Sequence, residues 1–540
     1  MAIESTVRFP HLRQSETRRR RLHQAQRRFV LLAACLVGVA AGLVAVLYQI
    51  AVNWAGGLGK YVANVFTGIG FGGWLLLALM GALLGAAAGW ITERFAPEAG
   101  GSGIPHVKAV LMNMRRIRAA VLIPVKVVGG LLSLGAGMSL GREGPTIQIG
   151  ASMGQVVAKL GRAPRRSFPT LIASGAGAGL AAAFNAPLAG FLFVMEELKR
   201  EMSPMTYGAA LIASVSSVFV SRTLMGQTTA FALSNPQPIP LRALPFVMLL
   251  GVVCAFVGIG FNKLTLGLIQ IREKLKAPRW IAGAIVGAFA AIFLKSMPEL
   301  TGGGHGIAES ILGGEMDYRA GLWLIFAMLV GKLVMTSASF STGVPGGIFA
   351  PILVMGALTG YLLGSIATIW FPSFGISPHV FATIGMAAVL SASVRAPLTG
   401  VVLIVEMTQQ YSLLYALLLG AFISYILADV LKDEPIYEAL LERDLHKTGD
   451  ANQLPDAATP LDLPVEPDSY MDGRRIRDLK LPPGALVVTI EREGGIIVPN
   501  GSTRIRYGDH VTVLLAGDQS EAATLALHDA ARAPMPYQAE

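Results

Sequence analysis

Residues 175–196 read GAGAGLAAAFNAPLAGFLFVME, and residues 385–406 read GMAAVLSASVRAPLTGVVLIVE. Aligned without a gap, the two stretches agree at nine of 22 positions, including Ala186-Pro187-Leu188 against Ala396-Pro397-Leu398 and Glu196 against Glu406. Small residues recur wherever membrane helices pack closely, but packing does not account for a shared Ala-Pro-Leu and a shared acid. Working outward, Pro145 falls on Pro351 at nearly the same spacing, which sets Glu143 opposite Phe349. The chain therefore reads as two related halves. Such repeats in transporters are often inverted, with the substrate site between them where broken helices meet near the midplane.

Composition agrees with a membrane location. Of 540 residues, 53% are hydrophobic and only 14% charged, too apolar for an ordinary soluble protein. No Asp precedes Asp317, so the intramembrane Glu residues of the first half stand out. The first 28 residues carry eight Arg, four of them at 18–21, against Glu4 and Glu16, and lead into an apolar run at 29–54. This basic segment predicts a cytosolic N-terminus by the positive-inside rule. The run is too long for a signal-peptide core, so it is read as a retained first helix, and the Arg cluster as an orienting segment rather than a nucleic-acid-binding arm. Cys35 and Cys254 both fall in apolar runs and are expected to be buried structural thiols, with no disulfide and no metal site.

Apolar segments recur at about 29–54, 73–92, 119–140, 144–160, 170–199, 206–226, 244–271, 279–296, 321–340, 346–371, 379–408 and 411–430. Many are shorter than the roughly 20 residues that span a bilayer core. Gly and Pro break several, which is tolerated only where protein or water covers the freed backbone groups. The expected fold is an all-α polytopic membrane protein of two inverted repeats with broken, re-entrant helices, in a domain at 29–440 whose halves cover about 29–226 and 244–440. A polar linker at 441–460 then leads to a small α+β cytosolic domain at 461–540. There, strands are expected at 486–490, 494–498 and 510–515, separated by Pro482-Pro483-Gly484, Asn500-Gly501 and Tyr507-Gly508-Asp509, with a helix from Ser520 to about Ala531.

Three stretches share one design, glycine leading into an apolar helix start: Gly101-Ser102-Gly103-Ile104-Pro105, Gly141-Arg142-Glu143-Gly144-Pro145 and Gly346-Gly347-Ile348-Phe349-Ala350-Pro351. The first amides of a helix lack intrahelical acceptors, and the helix dipole favours negative charge there. Converging on one point, three such termini would hold a small anion without a full positive charge. Glu143 is the informative residue. A carboxylate at membrane depth costs several kcal/mol unless it lines a path or finds a partner, and a site that holds a carboxylate also holds an anion.

In order and beside the repeat, these motifs resemble the chloride channel and transporter family, often called CLC proteins. The resemblance covers roughly residues 30–440 and includes the Asn185-Ala186-Pro187-Leu188-Ala189-Gly190 link and Tyr437 after Glu434-Pro435. It implies the CLC fold, assembly as a homodimer in the cell (inner) membrane with both termini cytosolic, and transport rather than enzymatic activity. Chloride, protons and membrane lipid are the implied partners, with no nucleic acid and no cofactor. Ser102 and Tyr437 match the hydroxyls that face the central anion, and the amides of Ile348 and Phe349 match its backbone donors. Gly103, Ile104 and Gly144 belong to the same anion-binding segments. Glu143 matches the external gating glutamate, which competes with chloride and leaves when protonated. Ser102 is similar to the form associated with chloride preference, where nitrate-preferring relatives tend to carry proline. The intact Gly141–Pro145 motif argues against the fluoride-exporting branch.

Glu197 matches the internal proton-transfer glutamate of proton-coupled members, so the expected activity is chloride–proton exchange, with a passive, voltage- or pH-gated chloride channel as the alternative. The bland reading of Glu197 is a surface acid beside Lys199 and Arg200 on a solvated helix end; that of Glu196 is a helix-end acid shared by both halves. Lys126, seven residues into an apolar run, either supplies a positive potential for anions or snorkels to the interface. Arg115, Arg116, Arg118, Arg162, Arg165 and Arg166 read as cytosolic loops flanking a segment that turns at Glu143. A paired-aspartate protease spanning both halves is excluded by the absence of Asp before Asp317, and no His-Glu-x-x-His segment offers zinc. The C-terminal domain resembles the TrkA-C (RCK-C) module through Asp472-Gly473-Arg474, Leu481-Pro482, Ile497-Val498-Pro499-Asn500-Gly501-Ser502-Thr503 and Gly508-Asp509. That resemblance implies regulation by a small ligand or a role in assembly.

Overall fold

The computed structural model describes residues 10–68, 70–199, 203–226, 239–316, 321–448, 459–492, 495–515 and 521–532, with side chains from residue 27 onward except at 448, 459–460 and 521–522. Among these, nine helices are long and apolar enough to cross a membrane. The first half runs α1 (Pro10–Thr67), α2 (Phe71–Phe95), α3 (Ile104–Leu111), α4 (Ala119–Gly135), α5 (Glu143–Leu160), α6 (Phe168–Phe184), α7 (Pro187–Phe193) and α8 (Pro204–Met225). The second repeats that order with α9 (Leu244–Lys274), α10 (Arg279–Ser296), α11 (His305–Leu312), α12 (Leu322–Ser341), α13 (Phe349–Trp370), α14 (Pro378–Val394), α15 (Pro397–Thr408) and α16 (Leu414–Val430). The halves form an inverted repeat, followed by α17 (Ile436–Thr448).

The repeat is visible in the packing. The α5/α6 pair of the first half and the α13/α14 pair of the second form the centre and are almost wholly buried. Each pair is drawn together by glycine. A Cβ at Gly150 or Gly175 would collide with the other's carbonyl, and Gly356 and Gly385 repeat the relation. With no hydrophobic drive between helices in lipid, this close backbone approach supplies the dispersion contact.

The structure refines the sequence expectations. The apolar runs at 170–199 and 379–408 are broken, as the Gly and Pro within such runs suggested. They break at Asn185 (φ 58) and Arg395 (φ 67), equivalent residues in left-handed conformation, and Pro187 and Pro397 start the next helices with φ already set. The first helix extends past 54 to Thr67, because Ala63 is buried against Leu77, Ala291 and Leu294 and tertiary packing overrides its glycines. The run at 119–140 ends as helix at Gly135. The eight-residue helices α3 and α11 are too short to stand out in hydropathy. Cys254 is buried, but Cys35 is exposed on α1.

The chain divides by packing into Met1–Leu441 and Glu442–Glu540. Of the expected linker, 441–448 is the end of α17 and 459–460 the start of a strand, while 449–458 lies outside the described residues. The C-terminal unit is a four-stranded antiparallel sheet in the order β1-β4-β2-β3, from β1 (Thr459–Pro464), β2 (Ala485–Arg492), β3 (Gly495–Ile497) and β4 (His510–Leu515). β1 carries Pro460 and Pro464 within six residues and gave no strand signal. Gly494 and Ser520, taken as the starts of a strand and a helix, lie outside the described residues. The helix α18 (Glu521–Arg532) turns Leu527 and Ala531 into a core with Leu463, Val511 and Val513.

Candidate functional site

The three glycine-led helix starts meet. Gly101 pairs with Pro345 in a short parallel bridge, the Gly101 amide donating to Val344 O at 3.0 Å and the Gly346 amide to Gly101 O at 3.1 Å. Gly141 and Gly347 exchange two amide–carbonyl bonds of 2.7 Å each. At most two residues thus separate each lacing glycine from the first residue of α3, α5 or α13. At their meeting point a Cβ on Gly144 would lie 2.9 Å from Ser102 Cβ and 3.0 Å from Gly347 Cα, so only glycine lets the three segments close up.

Each expected anion-site residue can be placed. Ser102 is buried, and its Oγ accepts from the Ile104 amide at 3.3 Å. Gly103 caps α3 in left-handed conformation, φ 82. Ile348 and Phe349 are fully buried at the start of α13, where the first amides have no intrahelical acceptor. The Phe349 ring packs against Phe184 and Phe193. Tyr437 is fully buried, and its hydroxyl has no hydrogen-bond partner among the described residues, although it lies within range of the charges of Glu197 and Glu143. A buried hydroxyl without an acceptor is what an incoming anion would satisfy.

Glu143 opens α5 and is 0% exposed. Its Oε1 lies 3.4 Å from His305 Nε2 and 3.8 Å from Arg142 Nε, and neither carboxylate oxygen has a hydrogen bond among the described residues. Gly141 makes room for it, since a Cβ there would overlap Glu143 Oε2. The motif thus needs Gly141 for the carboxylate and Gly144 for the converging helix starts. Arg142 and His305 also line two cavities of about 850 and 370 Å³.

Glu197 is not a surface acid. It is 1% exposed in a wide π turn, Val194–Lys199, and its Oε1 meets Lys108 Nζ at 2.8 Å. Lys108, itself buried, also lies 3.5 Å from the part-exposed Glu438. The π turn sends neighbouring acids to different places. Glu196 reaches across the repeat to the amides of Leu398 and Thr399 at 3.1 and 2.7 Å, and Glu406 returns to those of Leu188 and Ala189 at 3.0 and 2.8 Å. Both are caps on the opposite half's helix.

Lys126 does not snorkel. It is 0% exposed and donates to the carbonyls of Ala99 and Gly101 at 2.9 and 2.7 Å, beneath the loop that carries Ser102. Its repeat counterpart Lys332 is equally buried and donates to Leu300, Thr301 and Gly302 carbonyls, the last at 2.8 Å. Sequence reasoning passed over Lys332, Lys108 and His305. Lys332 had a usable signal, since Lys126 precedes it by the same spacing as Pro145 precedes Pro351. His305 had only the glycine triplet at 302–304 ahead of it.

Comparison with known proteins places this architecture. The family model described as Voltage gated chloride channel matches residues 84–429, and the TrkA-C domain model matches residues 461–527. The chain is 38% identical over 423 residues to the H(+)/Cl(-) exchange transporter ClcA of Vibrio vulnificus (strain YJ016), covering 77% of this chain and 90% of the relative. Over 431 residues it is 38% identical to the protein of the same name from Cronobacter sakazakii (strain ATCC BAA-894), with the same coverage. Among solved structures it is similar to a slow cyanobacterial Cl-/H+ antiporter, with TM-score 0.74, 33% identity and coverage of 78% of this chain and 99% of that one. A eukaryotic CLC transporter, at 21% identity, TM-score 0.66 and coverage of 84% of this chain and 80% of that one, shares the fold. With its apolar helices and these matches, the chain is a multi-pass membrane protein that belongs to the voltage-gated chloride channel family.

Proposed function

We propose that the protein exchanges chloride for protons across the membrane. One observation carries this reading: a fully buried carboxylate, Glu143, at a point where three helix N-termini converge, within range of a buried Tyr437 hydroxyl that has no partner among the described residues. In the ionised state Glu143 competes with chloride for amides that favour negative charge. Protonated, it loses that attraction and leaves the position to chloride. The anion is then held by Ser102, Gly103, Ile104, Gly144, Ile348, Phe349 and Tyr437. Neutral donors hold it less tightly than a buried cation would, which suits turnover.

Glu197 is the second acid of the proton route, reached from the aqueous side past Glu438 and Lys108. The loops with Arg115, Arg116, Arg118, Arg162, Arg165 and Arg166 face the cytosol, as do both termini, and Glu143 faces the other side of the inner membrane. The protein works as a homodimer, and its TrkA-C domain regulates it through a small ligand.

Proteoliposomes loaded with chloride test the exchange. Wild type should drive protons uphill as chloride runs down its gradient, Glu143→Gln should pass chloride without protons, and Glu197→Gln should lose proton movement. A reversal potential that ignores a proton gradient at fixed chloride would instead make the protein a passive channel.

A further inference from the structure

Glu143 lines neither of the cavities beside it, so a proton from solution needs a carrier for the last step. Two ionisable side chains line both cavities and approach the carboxylate, Arg142 at 3.8 Å and His305 at 3.4 Å. Arg142 is unsuited, because a guanidinium does not give up its proton in proteins. An imidazole accepts a proton at one nitrogen and donates from the other near neutral pH. His305 is 32% exposed while Glu143 is 0% exposed, so one ring touches both the cavity and the buried acid. The other charged groups nearby are committed or line only one of the cavities. Lys332 donates to three carbonyls of the loop before His305, Lys60 and Glu299 line only the larger cavity, and Glu309 lines only the smaller.

The backbone supports a moving ring. Gly304, in left-handed conformation at φ 81, caps α11 so that His305 is its first residue. A Cβ on Gly303 would lie 3.0 Å from His305 Cε1 and Nδ1, so glycine there leaves space beside the imidazole.

We propose that His305 is the proton relay between these cavities and Glu143. The inference rests on the exchange reading above and extends it to the entry step. A proton from cavity water adds to the ring, making an imidazolium. The Nε2 proton then passes to Glu143 Oε1, leaving a neutral imidazole and a neutral carboxylic acid. A turn of the ring returns the unprotonated Nε2 to the cavity for the next proton. One proton crosses and none is made or lost.

The test measures chloride efflux from proteoliposomes of the full-length protein at equal pH on both sides, with and without added imidazole, a diffusible general acid and base. His305→Ala and His305→Gln should slow efflux by about tenfold or more, and imidazole should restore a large part of it. In the Glu143→Gln background, which needs no proton, the same changes should leave chloride efflux unaltered. Wild-type rates in both His305 variants would overturn the relay, as would a loss that imidazole fails to restore or that the Glu143→Gln background shares. If wild-type protein itself moves no protons with chloride, the exchange reading fails. If it does and His305 is dispensable, only the relay fails.

Discussion

Glu196 and Glu406 cap each other's half of the molecule. Glu196, at the end of the first repeat's broken helix pair, accepts the first amides of α15, and Glu406, at the end of the second, accepts those of α7. The acid shared by the two aligned stretches is thus a clasp between them. Charged caps on helix N-termini contribute about 1–2 kcal/mol each. Glu196→Ala and Glu406→Ala should lower thermal stability in detergent by that order, with Glu196→Ala the worse because it also strands the Thr399 hydroxyl, 2.7 Å away. The ratio of protons to chloride should not change in either, which flux measurements on the same preparations would check.

Lys108 and Glu197 form a buried ion pair. Removing one partner takes away the close compensation of the other's buried charge, at a cost of up to about 3–5 kcal/mol, while replacing both by neutral groups of similar size costs far less. Lys108→Met should therefore be markedly less stable than Lys108→Met combined with Glu197→Gln. A double-mutant cycle on melting temperature reads the coupling directly, and additive effects would show that the pair contributes nothing.

Gly141 is predicted to be intolerant of any side chain while Glu143 is present, because its Cβ would occupy the carboxylate's place. Gly141→Ala should displace Glu143 and reduce proton-coupled turnover by about tenfold, an effect of roughly 1.4 kcal/mol on the step. In the smaller, uncharged-gate background Glu143→Ala, the same change should matter little. Equal losses in both backgrounds would assign the glycine to backbone packing alone.

In the C-terminal unit, Asp509 is buried and held by two guanidinium nitrogens of Arg492, Nε and Nη2, each at 2.7 Å, and by the Arg506 amide at 2.8 Å. Burial alone would raise its carboxyl, and the Arg492 hydrogen bonds with the Arg506 amide outweigh that and hold it below the usual carboxylate range. A group depressed in the folded state stabilises it above the unfolded value, about 3.9 for Asp, and that contribution disappears as pH falls through the lower folded value. Hydrogen exchange at the β4 amides, corrected for intrinsic rates, should therefore accelerate on acidification below about pH 4 in wild type. Arg492→Ala should cost about 1.5–3 kcal/mol at neutral pH and flatten that acid dependence.

The local chemistry of the chain was enough for the architecture. The recurrence of Ala-Pro-Leu and its acid marked two halves, glycine followed by proline marked the helix starts, and apolar length marked a membrane. These signals act over a few residues, through backbone conformation and the cost of exposing amides in lipid. Even so, the exact break points at Asn185 and Arg395 could not be read from hydropathy, because a left-handed residue changes the chain's direction without changing its polarity.

What the sequence could not determine is which charge meets which. Lys108 and Glu197 are 89 positions apart, and His305 and Glu143 belong to different halves. No periodicity links such pairs. They are selected only when folding removes water, since an unpaired charge is cheap in solvent and costly in the interior. Sequence alone thus made Glu143 an acid at a helix start in a two-fold membrane scaffold. Tertiary structure gave it an imidazole, a glycine-lined place for its carboxylate and two cavities within reach.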